Sequence, residues 1–70
     1  MLTDLRILAI DTASEHGSIA LLEGQTIVLE QRWCLPLQGH TEVLVPSIEA
    51  ALKLVGWRFQ TLRGIAVTNG

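Results

Sequence analysis

Seventy residues suffice for one small domain at most, and a chain of that length buries only about 60% of its unfolded surface, so its stability is expected to be marginal. Apolar residues make up 49% of the chain and charged residues 17%, the reverse of the composition that keeps chains unfolded. Seven acidic and five basic residues leave a formal charge of −2 with no Lys/Arg cluster to follow a phosphate backbone, which argues against strong direct nucleic-acid binding.

The stretch from Met1 to Ile10 is interrupted by Asp4 and Arg6, and no run approaches the ~18 apolar residues of a membrane span. The expectation is a soluble, cytoplasmic chain with no membrane partner. From Leu5 to Asp11 the sequence is nearly continuous and apolar, as in a central strand buried on both faces, and it ends in a carboxylate. Thr12, Ala13, Ser14 and Glu15 read as a polar turn, and Gly17 to Glu23 as a second strand. Gly24-Gln25 then makes a tight reversal into a third strand, Thr26 to Trp33, whose polar end suits a sheet edge. These three strands form an antiparallel meander.

Residues 34 to 39 break the pattern, and a helix is expected from about His40 or Thr41 to Val55. Thr41 is a candidate N-cap, Glu42 lies near the positive helix end, and Gly56 sits where a left-handed C-terminal residue belongs. Pro46 has no N–H to donate within this span, which predicts a kink or a late start of the regular helix. Trp57 to Leu62 reads as a connection, and Gly64 to Thr68 as a short fourth strand parallel to the first. A strand, a crossover helix and a parallel strand form a right-handed unit. The order β-β-β-α-β is that of an unfinished α/β sheet, so residues 1–70 are expected to be the amino-terminal portion of a larger domain.

Asp11 is the sharpest candidate for chemistry. A carboxylate at a strand end, followed by Thr12 and Ser14, can hold a hydrated divalent cation while the turn faces phosphate oxygens. It can equally cap its own turn by accepting from the amides of Ala13 or Ser14. His16 is read as a solvated loop residue. His40, at the helix start, either contributes to a site there or bonds the preceding loop. Cys34 has no basic neighbour in sequence except Arg32, so a semi-buried structural thiol is expected, and one cysteine cannot form an internal disulfide. One thiol with two scattered histidines is too few ligands for a structural zinc site. Trp33, Trp57 and Phe59 are assigned to packing.

The helix is apolar around too much of its circumference. Leu44, Ile48, Ala51 and Val55 define a core stripe, and Val43, Ala50 and Leu54 form a second line about 80° to 120° around from it. With Val45 and Leu52 the apolar arc is roughly 220° wide, where packing on one sheet needs about 100°. Glu42, Glu49 and Lys53 crowd onto the remaining polar arc. The surplus calls for cover, either from the rest of the domain or from a partner subunit.

Four segments together carry a family resemblance. Ile7-Leu-Ala-Ile-Asp-Thr-Ala-Ser14, Ser18-Ile-Ala-Leu-Leu22, the helix opening His40, Glu42, Leu44, Pro46, Ile48, and Gly64-Ile-Ala-Val-Thr-Asn-Gly70 resemble the amino-terminal part of the TsaB (YeaZ) family. The helix-opening pattern is the most specific of these, and the resemblance covers essentially the whole chain. TsaD, a related catalytic family, continues the acidic turn differently and has a longer segment before the helix, so TsaB fits better.

The resemblance implies a ribonuclease H-like, actin-like ATPase (ASKHA) fold. It also implies a non-catalytic partner in bacterial threonylcarbamoyladenosine modification of tRNA, pairing with a TsaD-like catalytic subunit while a TsaE-like ATPase joins. Asp11, Thr12 and Ser14 would then be a vestigial phosphate or metal turn, His40 and Glu42 a helix-start site, and Val43, Ala50 and Leu54 the subunit interface, closing a homodimer when the chain is isolated. No cofactor is expected on this chain alone, and ATP and a divalent metal would belong to the parent complex. The competing expectation is an enzyme, either an ASKHA phosphotransferase or a metal-dependent ribonuclease H-like nuclease, with Asp11 as metal ligand.

Overall fold

In a computed structural model, the description covers residues 5–13, 16–34 and 40–68. They form β1 (Arg6–Ala13), β2 (His16–Glu23), β3 (Thr26–Cys34), α1 (His40–Val55), one turn of 3-10 helix (Phe59–Thr61) and β4 (Gly64–Thr68). The strands make one mixed sheet in the order β3-β2-β1-β4. β2 runs antiparallel to both β1 and β3, and β4 runs parallel to β1. The expected meander and parallel fourth strand are both present.

The β2–β3 reversal closes on the pair Glu23↔Thr26, with Gly24 at φ 63. Hairpin turns whose twist matches the strands need a positive φ at the first loop position, which glycine adopts without steric cost. The register then shifts between Leu21 and Leu22: Leu21 faces Leu29 while Leu22 faces Ile27, so Val28 is the extra residue of a bulge. The shift returns Leu29 and Trp33 to the face that α1 covers.

That face carries the core. Leu8 pairs with Leu21 and Ile10 with Ile19, and α1 closes over them with Ala51 and Leu52. Leu8, Ile19, Leu21, Ala51 and Leu52 are buried; Ile10, Leu29, Trp33, Leu44, Ile48, Val55, Trp57 and Leu62 pack around them. Gly17 is buried beneath Trp33, its partner across the β2–β3 pair, and a β-carbon there would meet the indole at 2.5 Å. The glycine is required by this close approach rather than by its backbone angles.

The end of α1 is set by a specific motif. Gly56 has φ 74, its N–H donates to the Lys53 carbonyl at 3.2 Å, and the Trp57 N–H reaches back to the Leu52 carbonyl at 2.9 Å. This is the paired 5→2 and 6→1 bonding of a Schellman cap, completed by packing of Trp57 on the cluster that holds Leu52. The connection to β4 is pinned by Arg6. Its guanidinium lies 4.6 Å from the centroid of the Trp57 ring, Nε stands 3.5 Å from Glu23 Oε2, and Nη1 donates to Thr61 Oγ1 at 3.3 Å. The Arg63 N–H donates to the Arg6 carbonyl at 2.7 Å, which delivers the chain alongside β1.

Several expectations are corrected. β1 extends two residues past Asp11, because Thr12 and Ala13 pair with Gly17 and His16; His16 accordingly opens β2 instead of lying in a loop. β1 is not buried on both faces, since Ile7 and Ala9 on the side away from α1 are only half-buried. α1 starts at His40 without delay and runs through Pro46, which places Thr41 inside its first turn rather than before it. Leu52 belongs to the core, not to the surplus apolar arc. Cys34 is exposed, not semi-buried, because it ends an edge strand. Phe59 is 55% exposed on the 3-10 turn and packs little, unlike Trp33 and Trp57. Among the described residues, no helix is long and apolar enough to cross a membrane.

Candidate functional site

The sheet face away from α1 is laid out in rows by strand pairing. Asp11 pairs with Ser18 on one side and Thr68 on the other, and Ser18 pairs with Arg32, so Arg32, Ser18, Asp11 and Thr68 form one polar row across all four strands. The neighbouring rows are apolar: Ala66, Ala9 and Ala20 with Glu30, then Gly64, Ile7, Leu22 and Ile27. Beyond the polar row His16 faces Cys34. Asp11 therefore lies within a strand, in a row of hydroxyls ending in a guanidinium, and not at a strand terminus leading into a turn.

An open concavity of about 400 Å³ is lined by Asp11, His16, Gly17, Ser18, Glu30, Arg32 and Trp33. Along its wall Arg32 Nη2 stands 3.4 Å from Glu30 Oε2, an ion pair between exposed side chains that contributes at most about 1 kcal/mol. Asp11, His16 and Ser18 are a carboxylate, an imidazole and a hydroxyl in one depression, yet no hydrogen bond joins them. Nucleophilic catalysis needs a base within hydrogen-bond reach of the nucleophile. Asp11 also stands as a lone carboxylate in its row. Magnesium held by protein and substrate uses one or two carboxylates together with phosphate oxygens, so this row alone makes no closed metal cage. Among the described residues, no three His, Cys, Asp or Glu side chains come together as a metal site.

Of the other sequence-derived candidates, Ser14 lies outside the described residues, as do the side chains of His40 and Glu42, whose backbone forms the first turn of α1. Asn69 and Gly70, which end the fourth segment of the family resemblance, lie outside them too. On the outer side of α1, Leu54 is 76% exposed, Ala50 is exposed and Val43 is half-buried. Two members of that line are thus free apolar surface, and the third is partly covered by the fold itself.

Sequence reasoning missed Ser18, Arg32 and Thr68 as neighbours of Asp11. The signal was present in the turns. Pairing of Ala13 with His16 sets the register that puts Asp11 opposite Ser18, and the Gly24-Gln25 turn with one bulged residue brings Arg32 opposite Ser18.

The architecture defines the class: a small α/β protein with a mixed four-stranded sheet and one helix. Comparison with known proteins narrows it further. No protein-family profile matches the chain, and no curated protein matches it. Solved structures do. YeaZ from Pseudomonas aeruginosa superposes with a TM-score of 0.83 at 29% sequence identity, over 94% of this chain and 30% of that one. A second structure from the same organism, described as an uncharacterized protein with similarity to peptidase YEAZ, gives a TM-score of 0.79 at 27% identity, over 90% of this chain and 28% of that one. The chain is similar to YeaZ in both sequence and fold, which bears out the resemblance to the TsaB (YeaZ) family carried by its four motifs. It spans about 30% of the length of the YeaZ structure it matches.

Proposed function

We propose that this chain acts as a non-catalytic partner subunit in bacterial threonylcarbamoyladenosine modification of tRNA, on an actin-like ATPase (ASKHA) framework, in the cytoplasm. The observation that carries the reading is the likeness to YeaZ across 94% of the chain. The order β3-β2-β1-β4, with a parallel strand following a crossover helix, is compatible with the ASKHA assignment. In this role the chain pairs with a TsaD-like catalytic subunit, with a TsaE-like ATPase joining. The outer line of α1 is the contact, because Leu54 and Ala50 present apolar surface that nothing among the described residues covers. The Asp11 row is then a relic of the superfamily's phosphate site: it keeps one carboxylate, a guanidinium and two hydroxyls, without the second acidic group or phosphate loop that turnover requires. Any ATP and divalent metal belong to the assembled complex.

Two measurements test the role. In isothermal titration against the TsaD-like subunit of the same organism, the chain should bind, and Ala50→Glu with Leu54→Glu should weaken binding at least tenfold while the circular dichroism spectrum stays unchanged. The chain alone should not hydrolyse ATP. Turnover by the purified chain that disappears in Asp11→Asn would replace this reading with the competing one, an ASKHA or ribonuclease H-like enzyme that uses Asp11 as metal ligand.

A further inference from the structure

The groups that hold Trp57 reach from the sheet to the outer side of α1. Arg6 heads the helix-side row of β1, two positions before Leu8, and faces Glu23 across the β1–β2 pair. Its guanidinium, 4.6 Å from the centroid of the Trp57 ring, is well inside the ~6 Å over which a cation is attracted to an aromatic face. Two further groups fix that cation. Glu23 Oε2 stands 3.5 Å from Nε, and Thr61 Oγ1 accepts from Nη1 at 3.3 Å while donating to the Arg58 carbonyl at 2.7 Å. Trp57 is thus held twice, by its N–H bond to the Leu52 carbonyl and by a guanidinium anchored to β2 and to the 3-10 turn. Beyond these contacts Trp57 lines an open depression of about 580 Å³ together with Glu49, Ala50, Leu52 and Lys53. Ala50 belongs both to this depression and to the outer line, with Leu54 one helical turn further on.

We propose that Arg6 is a positioning residue for partner binding: it fixes Trp57 as the wall of a pocket that receives an apolar side chain of the catalytic subunit, an inference that rests on the functional reading above. The depression has the make-up of an anchor site. Buried Leu52, the small side chain of Ala50 and the half-buried Trp57 supply its apolar part, while exposed Glu49 and Lys53, four residues apart on α1, supply a polar rim. Apolar anchors seated in such pockets carry much of the energy of an interface, provided that the walls are already in place. Arg6 puts the wall in place. A lysine could not do the same, because its single ammonium lacks the planar fork that meets the ring, Glu23 and Thr61 together. Arg6 therefore acts through Trp57, and its effect on the partner should vanish when the ring is gone.

Amide exchange of the purified chain, followed by nuclear magnetic resonance, and isothermal titration against the catalytic subunit test this together. Arg6→Met keeps an unbranched stem and removes the cation and both tethers. It should speed exchange of the Gly56 and Trp57 amides about fivefold or more, leave the Leu21 amide of β2 unchanged, and weaken partner binding about fivefold or more. Trp57→Leu keeps apolar cover over Leu52 without the ring, and in that background Arg6→Met should alter the affinity less than about twofold. Should Arg6→Met fail to fold, Thr61→Val, which removes one tether, carries the same two measurements with smaller shifts in the same directions. A wild-type chain that leaves the catalytic subunit unbound would overturn the functional reading and this inference with it. Wild-type binding matched by Arg6→Met, an undiminished loss in the Trp57→Leu background, or faster exchange spread evenly over α1 and the sheet would overturn this inference alone.

Discussion

Gly17 shows how one small residue sets the position of a large one. The Trp33 indole lies directly over it, and the 2.5 Å approach leaves no space for a methyl group. Gly17→Ala should force the indole off its seat against the core and lower stability by about 1–3 kcal/mol in urea titration, with the near-ultraviolet tryptophan signal changing in parallel. An unchanged midpoint would mean that Trp33 is not held there. The requirement for glycine was invisible in the sequence, where Gly17 read simply as the start of a strand. Asp11 lies within the central strand β1, two residues before its end. Local order suggested a turn of Thr12 and Ser14, whereas strand pairing supplies Ser18, Thr68 and Arg32. A pairing partner seven or fifty-seven residues away cannot be seen in a window of four.

At the scale of elements, most of the fold was legible because punctuation and periodicity agree. Gly24-Gln25 marks the β2–β3 turn, Gly56 marks the end of α1, and the largely apolar runs of β1 and β4 mark strands of one sheet. What the pattern could not convey was which part of an overly apolar helix faces inward. Leu52 was placed on the surplus arc and is in the core, since Trp57 folds back over it through the Schellman cap and extends the buried stripe around the helix. Pro46 misled in the opposite direction: α1 continues through it, because one lost intrahelical bond is offset by packing of Leu44 and Ile48 on either side. The cap makes a direct prediction. Gly56→Ala should cost about 1 kcal/mol despite open space around the site, because its φ of 74 lies in the region that side chains avoid. Gly64→Ala has equally open surroundings and no positive φ, so it should leave the thermal midpoint within experimental error. Equal effects from the two substitutions would remove the left-handed cap as the cause.

For the whole molecule, the balance lies between the buried apolar core, five side chains among the described residues, and the apolar surface that those residues leave in water. Removing three carbons from the centre of that core with Leu21→Ala should cost roughly 2–5 kcal/mol, comparable to the entire stability of so small a chain, and should abolish the cooperative unfolding transition. Retention of a cooperative transition would show that the described core understates what holds the protein together. The exposed residues Leu54, Ile65 and Val67 lie on two different surfaces, α1 and β4. Sequence patterning identified the first through the width of the apolar arc. The second lies beside β1, where Ile65 and Val67 of β4 remain more than half exposed.

The central claim is that the outer line of α1 receives a TsaD-like catalytic subunit. Hydrogen exchange read by mass spectrometry, with and without that subunit from the same organism, tests it most directly. Amides of the carboxyl-terminal half of α1, around Ala50 and Leu54, should exchange more slowly in the mixture, while those of β3 at the far edge stay unchanged. Exchange in α1 that is the same with and without the catalytic subunit, or protection confined to β4, would contradict the claim.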